Sequence, residues 1–246
     1  MPRSTSARVF IALIVISGFC VLGDAILSAQ AIYLLRFLSF LGVACVAARL
    51  RVKLPGLTGS MSVNLPFILV AVAEMSLLEA LVVGCISTFV QCIPSRPKKL
   101  NVTQALFNFS NMALAVAATR LVFQSQIVSS AVSGAPLRLA IAAGVFFLVN
   151  SVPVAVVISL SEAVNALRTW FSMFQISFPY FLASAGIAGL VMTLSSRLGW
   201  QVPVALMPLM LGIFQSYRRL LDASTAKAAI VSTGSNTASA VMRANA

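Results

Sequence analysis

The sequence predicts an all-helical, polytopic membrane protein of about eight transmembrane segments with both termini cytoplasmic. Three observations carry that reading. The 246 residues are 60% hydrophobic and only 9% charged, with a mean hydropathy of +1.01. Soluble domains average about 25% charged and roughly 45–50% apolar residues. Apolar runs of spanning length recur from Val9 onward with short polar breaks between them. The lysines and arginines fall in those breaks and alternate in density, so the net charge of +12 reads as topology and not as a nucleic-acid surface.

Residues 1–8 are polar and carry Arg3 and Arg8 ahead of a first span at 9–27, longer than the apolar core of a signal peptide and read as an uncleaved anchor. Asp24 marks its outer end. The second span, 31–48, holds Arg36 about a turn and a half from its outer end. Two accounts of that arginine stay open: it snorkels outward along its aliphatic stem, or it is the counter-charge of Glu74 or Glu79. Arg49, Arg51 and Lys53 form a basic inner turn.

The third segment, 62–73, carries Asn64 and is interrupted by Pro66. Its twelve residues reach only ~18 Å, short of a hydrocarbon core of ~30 Å. It is therefore extended by its neighbours, broken, or buried among them, because irregular backbone at membrane depth is tolerated only inside protein or beside a watery cavity. The fourth span, 77–93, carries Gly84, Ser87 and Thr88, small residues that permit close helix approach. It ends near Gln91 in a basic turn of Arg96, Lys98 and Lys99.

The fifth span, 102–123, contains Asn108 and Asn111, and a Ser-rich loop follows over 124–136. The sixth, 137–160, holds Asn150 and Pro153; proline there removes a helical donor, predicting a kink and a free carbonyl beside Asn150. Glu162, Asn165, Arg168 and Trp170 are read as the next turn. The seventh span, 174–194, has Pro179 in its first turns, and the eighth, 202–216, stops at Arg218 and Arg219. Residues 1–221 form a single transmembrane domain, and 222–246 a flexible cytoplasmic tail rich in Ala, Ser and Thr. In this layout thirteen basic residues lie inside and Arg120, Arg138 and Arg197 outside, which supports an even number of crossings.

Histidine is absent and the acids number five: Asp24, Glu74, Glu79, Glu162 and Asp222. This argues against His-based catalysis and most zinc chemistry. Neither a phosphate-binding GxxxxGK loop nor a paired-cysteine metal pattern occurs. The expectation is a protein that is not an enzyme and needs no cofactor, metal or nucleic acid. Candidate ligand-binding residues are Asn64, Glu74, Glu79, Gln91, Asn108, Asn111 and Asn150, polar groups rare enough in an apolar chain to ask for a reason. Pro66, Pro153 and Pro179 are the candidate helix interruptions. The competing account is that the amides tie helices together and that both glutamates sit in the outer interface.

LPG from Leu54, SVNLPFILVAVAEMSLLEALVVGCISTFVQ from Ser62, FNFSNMALAVA at 107–117, FFLVNSVPVAVVISLSEA at 146–163 and a closing FPY...GW...YRRLL together resemble the multi-span N-terminal sensor region of bacterial GGDEF and HD-GYP signalling proteins. The resemblance covers about 30–221. It implies a sensory module in a bacterial cytoplasmic membrane, surrounded by lipid, that binds a small molecule and signals to a partner. No output domain follows Arg219, so a cyclic-di-GMP signalling enzyme is the expected partner, reached through the last span with Arg218 and Arg219. A fainter resemblance, carried by LLEALVVG at 77–84, is to the S components of energy-coupling-factor transporters. It implies a vitamin or metabolite carrier docked to a coupling module. That chain would need a small-residue docking pair on the cytoplasmic side, whereas Ala25 and Ala29 lie at the outer end.

Overall fold

The apolar runs fold as helices. The computed structural model describes residues 5–29, 33–53, 60–62, 64–93 and 101–198, with single residues at 201 and 212. In chain order the helices are α1 (Thr5–Leu27), α2 (Leu34–Arg49), α3 (Leu65–Glu74), α4 (Leu77–Cys92), α5 (Val102–Gln124), α6 (Gln126–Ala131), α7 (Ala135–Glu162) and α8 (Ala166–Leu198). Between α2 and α3, two three-residue strands, β1 (Arg51–Lys53) and β2 (Ser60–Ser62), pair as a small sheet. Apart from these six residues the described elements are all helical, as expected. The chain divides into one compact unit of 1–51 and 62–205 and another of 52–61 and 206–246; the eight described helices belong to the first. The predicted eighth span at 202–216, the tail at 222–246, and Arg96, Lys98, Lys99, Arg218 and Arg219 lie outside the described residues, apart from Gly212.

Among the described residues three helices, α1, α5 and α7, are long and apolar enough to cross a membrane. At 1.5 Å per residue, 23 residues reach ~35 Å and 28 reach ~42 Å. A fourth crossing follows if α8 counts as one span: its two halves, Ala166–Gln175 and Tyr180–Ser195, meet at 52°. Pro179 lies in that break, and its missing N–H leaves the carbonyl of Gln175 without a helical donor. The other two prolines lie within helices. Pro66 starts α3 in place of interrupting it, in the first turn where no N–H is needed. α7 runs as one continuous helix through Pro153.

The third segment is short because it is interior. Leu65 through Val72 are all buried, and α3 packs against α2, α4, α5, α7 and α8. A helix apolar all round belongs in a core. Small residues set the approach of its neighbours: Gly18 of α1 lies against the backbone of Ser110 in α5, and Gly84 of α4 against Val116 and Met112.

The predicted 162–170 turn shrinks to Ala163–Asn165. Ala163 ends α7 in the left-handed region (φ 55°). Asn165 then restarts the helix, its Oδ1 accepting from the backbone N–H of Leu167 and Arg168 at 2.9 and 3.2 Å. Arg168 and Trp170 therefore belong to α8, where the Trp170 indole donates to Ser151 Oγ at 3.0 Å. Phe147 of α7, buried to 3% exposure, meets Phe174 edge-on at 5.6 Å and Phe181 at 4.6 Å, so rings from both halves of α8 pack on one ring.

Candidate functional site

A ten-residue helix buried among others must end inside the protein, and its last carbonyls need donors that water cannot supply. At the end of α3 two arginines provide them. Arg36, from the first turn of α2, donates Nη2 to the Glu74 carbonyl at 2.8 Å. Arg120, from the last turns of α5, donates Nη1 to the carbonyl of Val72. Both put positive charge at the negative end of the helix dipole, each such placement worth about 0.3–2 kcal/mol.

The Glu74 carboxylate completes the joint. Its Oε2 forms an ion pair with Arg36 Nη2 at 3.3 Å and accepts from Ser195 Oγ of α8 at 3.2 Å. One side chain thereby ties α2, α3 and α8. Of the two accounts left open for Arg36, the structure has the counter-charge. The first turn of α2 and the last turns of α3, α5 and α8 meet here, helix ends that the alternating layout assigns to one side.

The chain then restarts almost at once. Ser76 caps α4: its Oγ accepts from the backbone N–H of Glu79 at 3.3 Å, while Glu79 Oε2 accepts from Ser76 N–H at 2.9 Å and from Ser76 Oγ at 2.8 Å. This reciprocal box occupies Glu79, which is buried and serves the break between α3 and α4. The placement differs from a glutamate standing in interfacial water. Two guanidiniums and two carboxylates thus gather around residues 72–79.

The candidate amides do not converge on this joint; they tie successive helices. Asn64, buried ahead of α3, donates Nδ2 to Ser87 Oγ of α4 at 3.1 Å. Asn108 of α5 donates to Cys92 Sγ at 3.5 Å. Asn111 of α5 donates to the Asn150 carbonyl of α7 at 2.9 Å and to Asn150 Oδ1 at 3.3 Å. Gln91 is half-buried near the end of α4. Arg49 is exposed at the end of α2, and Arg51 and Lys53 lie in β1. Asn111→Leu is expected to lower stability in micelles by about 0.6–2 kcal/mol, the range for interhelical bonds in membranes. The low end is favoured because Asn111 Oδ1 is buried without a partner among the described residues. Unfolding by graded SDS checks this.

Arg120, Ser76 and Ser195 were not among the candidates. Ser76 was detectable, since Ser-x-x-Glu before an apolar run is a helix-start signature. Ser195 was not, because it meets Glu74 across 121 residues of chain.

The sequence model of a family described as MASE9 matches residues 10–218. No curated protein matches, and no solved structure matches. Likeness to the S components of energy-coupling-factor transporters finds no support in these comparisons.

Proposed function

The chain belongs to the MASE9 family of membrane-associated sensor domains, of the kind found in GGDEF and HD-GYP proteins, and from that premise we propose how it senses and signals. It is a multi-pass module of a bacterial cytoplasmic membrane, crossing eight times with both termini cytoplasmic. It binds a small molecule, has no catalytic activity of its own, and passes a helix rearrangement to a partner that makes or degrades cyclic di-GMP. The absence of histidine supports a non-catalytic role.

The observation that carries this reading is the Arg36–Glu74–Ser195 joint. It couples an early helix, the buried α3 and the later α8. A ligand that prefers one arrangement of α2 and α3 therefore shifts the population of α8 positions through Glu74. The bend at 176–179 divides α8 into a half anchored by Trp170 and a half that carries Ser195, both packed on Phe147, so displacement at Glu74 reaches the second half first.

Expression of the chain in its native host is expected to change cellular cyclic di-GMP at least twofold. Ser195→Ala, at equal membrane abundance, should remove most of that change. Mass spectrometry of tagged protein from the same membranes should recover a cyclic-di-GMP enzyme. An unaltered nucleotide level with the wild-type chain, and no such enzyme recovered, would overturn the proposal.

A further inference from the structure

The joint has an open side at the start of α2. An open recess of about 420 Å³ lies against Tyr33, Leu34, Leu35 and Arg36. Tyr33, Leu34 and Leu35 are 79%, 63% and 73% exposed, so three large apolar or aromatic side chains line the recess together with one guanidinium. Arg36 is the more open member of its ion pair, its side chain 29% exposed against 16% for Glu74. Its bonds to the carbonyl and carboxylate of Glu74 both use Nη2. Its Nε–H is buried and has no acceptor among the described residues. A guanidinium carries five N–H donors in a planar fork suited to carboxylate or phosphate oxygens.

We infer that this recess takes an anionic amphiphile, a carboxylate or phosphate on an apolar body, with the anion on the Arg36 guanidinium and the body along Tyr33, Leu34 and Leu35. Charge complementarity selects the head, and the exposed apolar turn selects the tail. The inference rests on the sensor reading and names its ligand class. A second anion on Arg36 competes with Glu74 for the guanidinium, while Ser195 still holds the carboxylate. Ligand binding therefore loosens α2 from α3 and leaves α3 attached to α8. The head can come from a free acid or from an anionic lipid, since both present the same chemistry.

The test uses the full chain in phosphatidylcholine nanodiscs, titrated with decanoate, decanol, acetate or inorganic phosphate, and followed by thermal unfolding and native mass spectrometry. Decanoate is expected to raise the midpoint by several degrees and to appear as a bound adduct. Decanol, acetate and phosphate should each give less than a third of that shift. Arg36→Gln should abolish the decanoate response. Leu35→Gln, an exposed position that does not threaten folding, should weaken it at least fivefold. If nanodiscs containing phosphatidylglycerol raise the midpoint unaided and block further response, the head belongs to a lipid; a response confined to decanoate assigns a free acid. An equal response to decanol, or an unchanged response in both variants, overturns the inference. A cyclic-di-GMP effect that persists without a decanoate shift removes the ligand class alone, whereas a shift without any nucleotide effect removes the signalling reading.

Discussion

Gly18→Ala is expected to lower the thermal midpoint of the folded protein by several degrees, while Gly23→Ala in the same helix leaves it unchanged or raises it. A Cβ at Gly18 would lie 2.6 Å from Ser110 Cβ and 2.7 Å from both its Cα and its carbonyl oxygen. Two of those three atoms are backbone, so no rotamer change of α5 makes room and the two helices must part. Overpacking of this kind typically costs about 1–3 kcal/mol. The stacked pair Phe19–Phe109, with centroids at 6.2 Å, lies one residue away on both helices and would be pulled apart with them. At Gly23 an added methyl meets nothing within 4 Å. Glycine inside a helix is less stable than alanine by roughly 0.5–1 kcal/mol, so that substitution acts with the opposite sign. Thermal and SDS unfolding of the two variants in one detergent decides the matter. Equal losses would mean that α1 does not cross α5 at Ser110.

The membrane class was legible because it depends on composition alone, and the long spans were legible because lipid demands one thing everywhere along them. α1, α5 and α7 start and end within a few residues of the predicted limits. The short third segment was harder. Its length already excluded an ordinary span, but burial on every side depends on neighbours that arrive as much as 121 residues later. The same reason hid the joint. Arg36, Glu74, Arg120 and Ser195 stand on four helices, and no local period relates them. Only the alternation of sides gave a hint, by assigning both Arg36 and Glu74 to the outer end. The amides read as ligand groups at their sequence positions because each is costly in lipid. In the structure Asn64, Asn108, Asn111 and Asn150 have neighbouring helices as partners, an equally good reason for their presence. Pro66 misled for a related reason: a proline in an apolar run marks a helix start as well as a break, and only the backbone before it distinguishes the two.

Removing one partner of the Arg36–Glu74 pair is expected to cost more than removing both. Glu74→Leu leaves the guanidinium of Arg36 beside an apolar side chain, with the residue 74 carbonyl at 2.8 Å as its remaining acceptor. Arg36→Leu leaves a carboxylate with Ser195 and strips one of the two cations from the end of α3, leaving Arg120 on the Val72 carbonyl. Stranding a fully buried charge costs roughly 3–5 kcal/mol, and the partial exposure of both side chains reduces this to about 1–3 kcal/mol. The double variant Arg36→Leu/Glu74→Leu strands no charge and adds apolar contact between α2 and α3. Its loss should be smaller than that of Glu74→Leu alone, with a coupling energy of about 1 kcal/mol or more in the double-mutant cycle. Ser195→Ala removes one hydrogen bond to a charge and should cost less than either single change. Graded SDS unfolding of the four variants measures these differences. If the single losses simply add in the double variant, Glu74 is not the link between α2 and α8, and a signal would have to reach α8 through the packing of Phe174, Phe178 and Phe181 on Phe147.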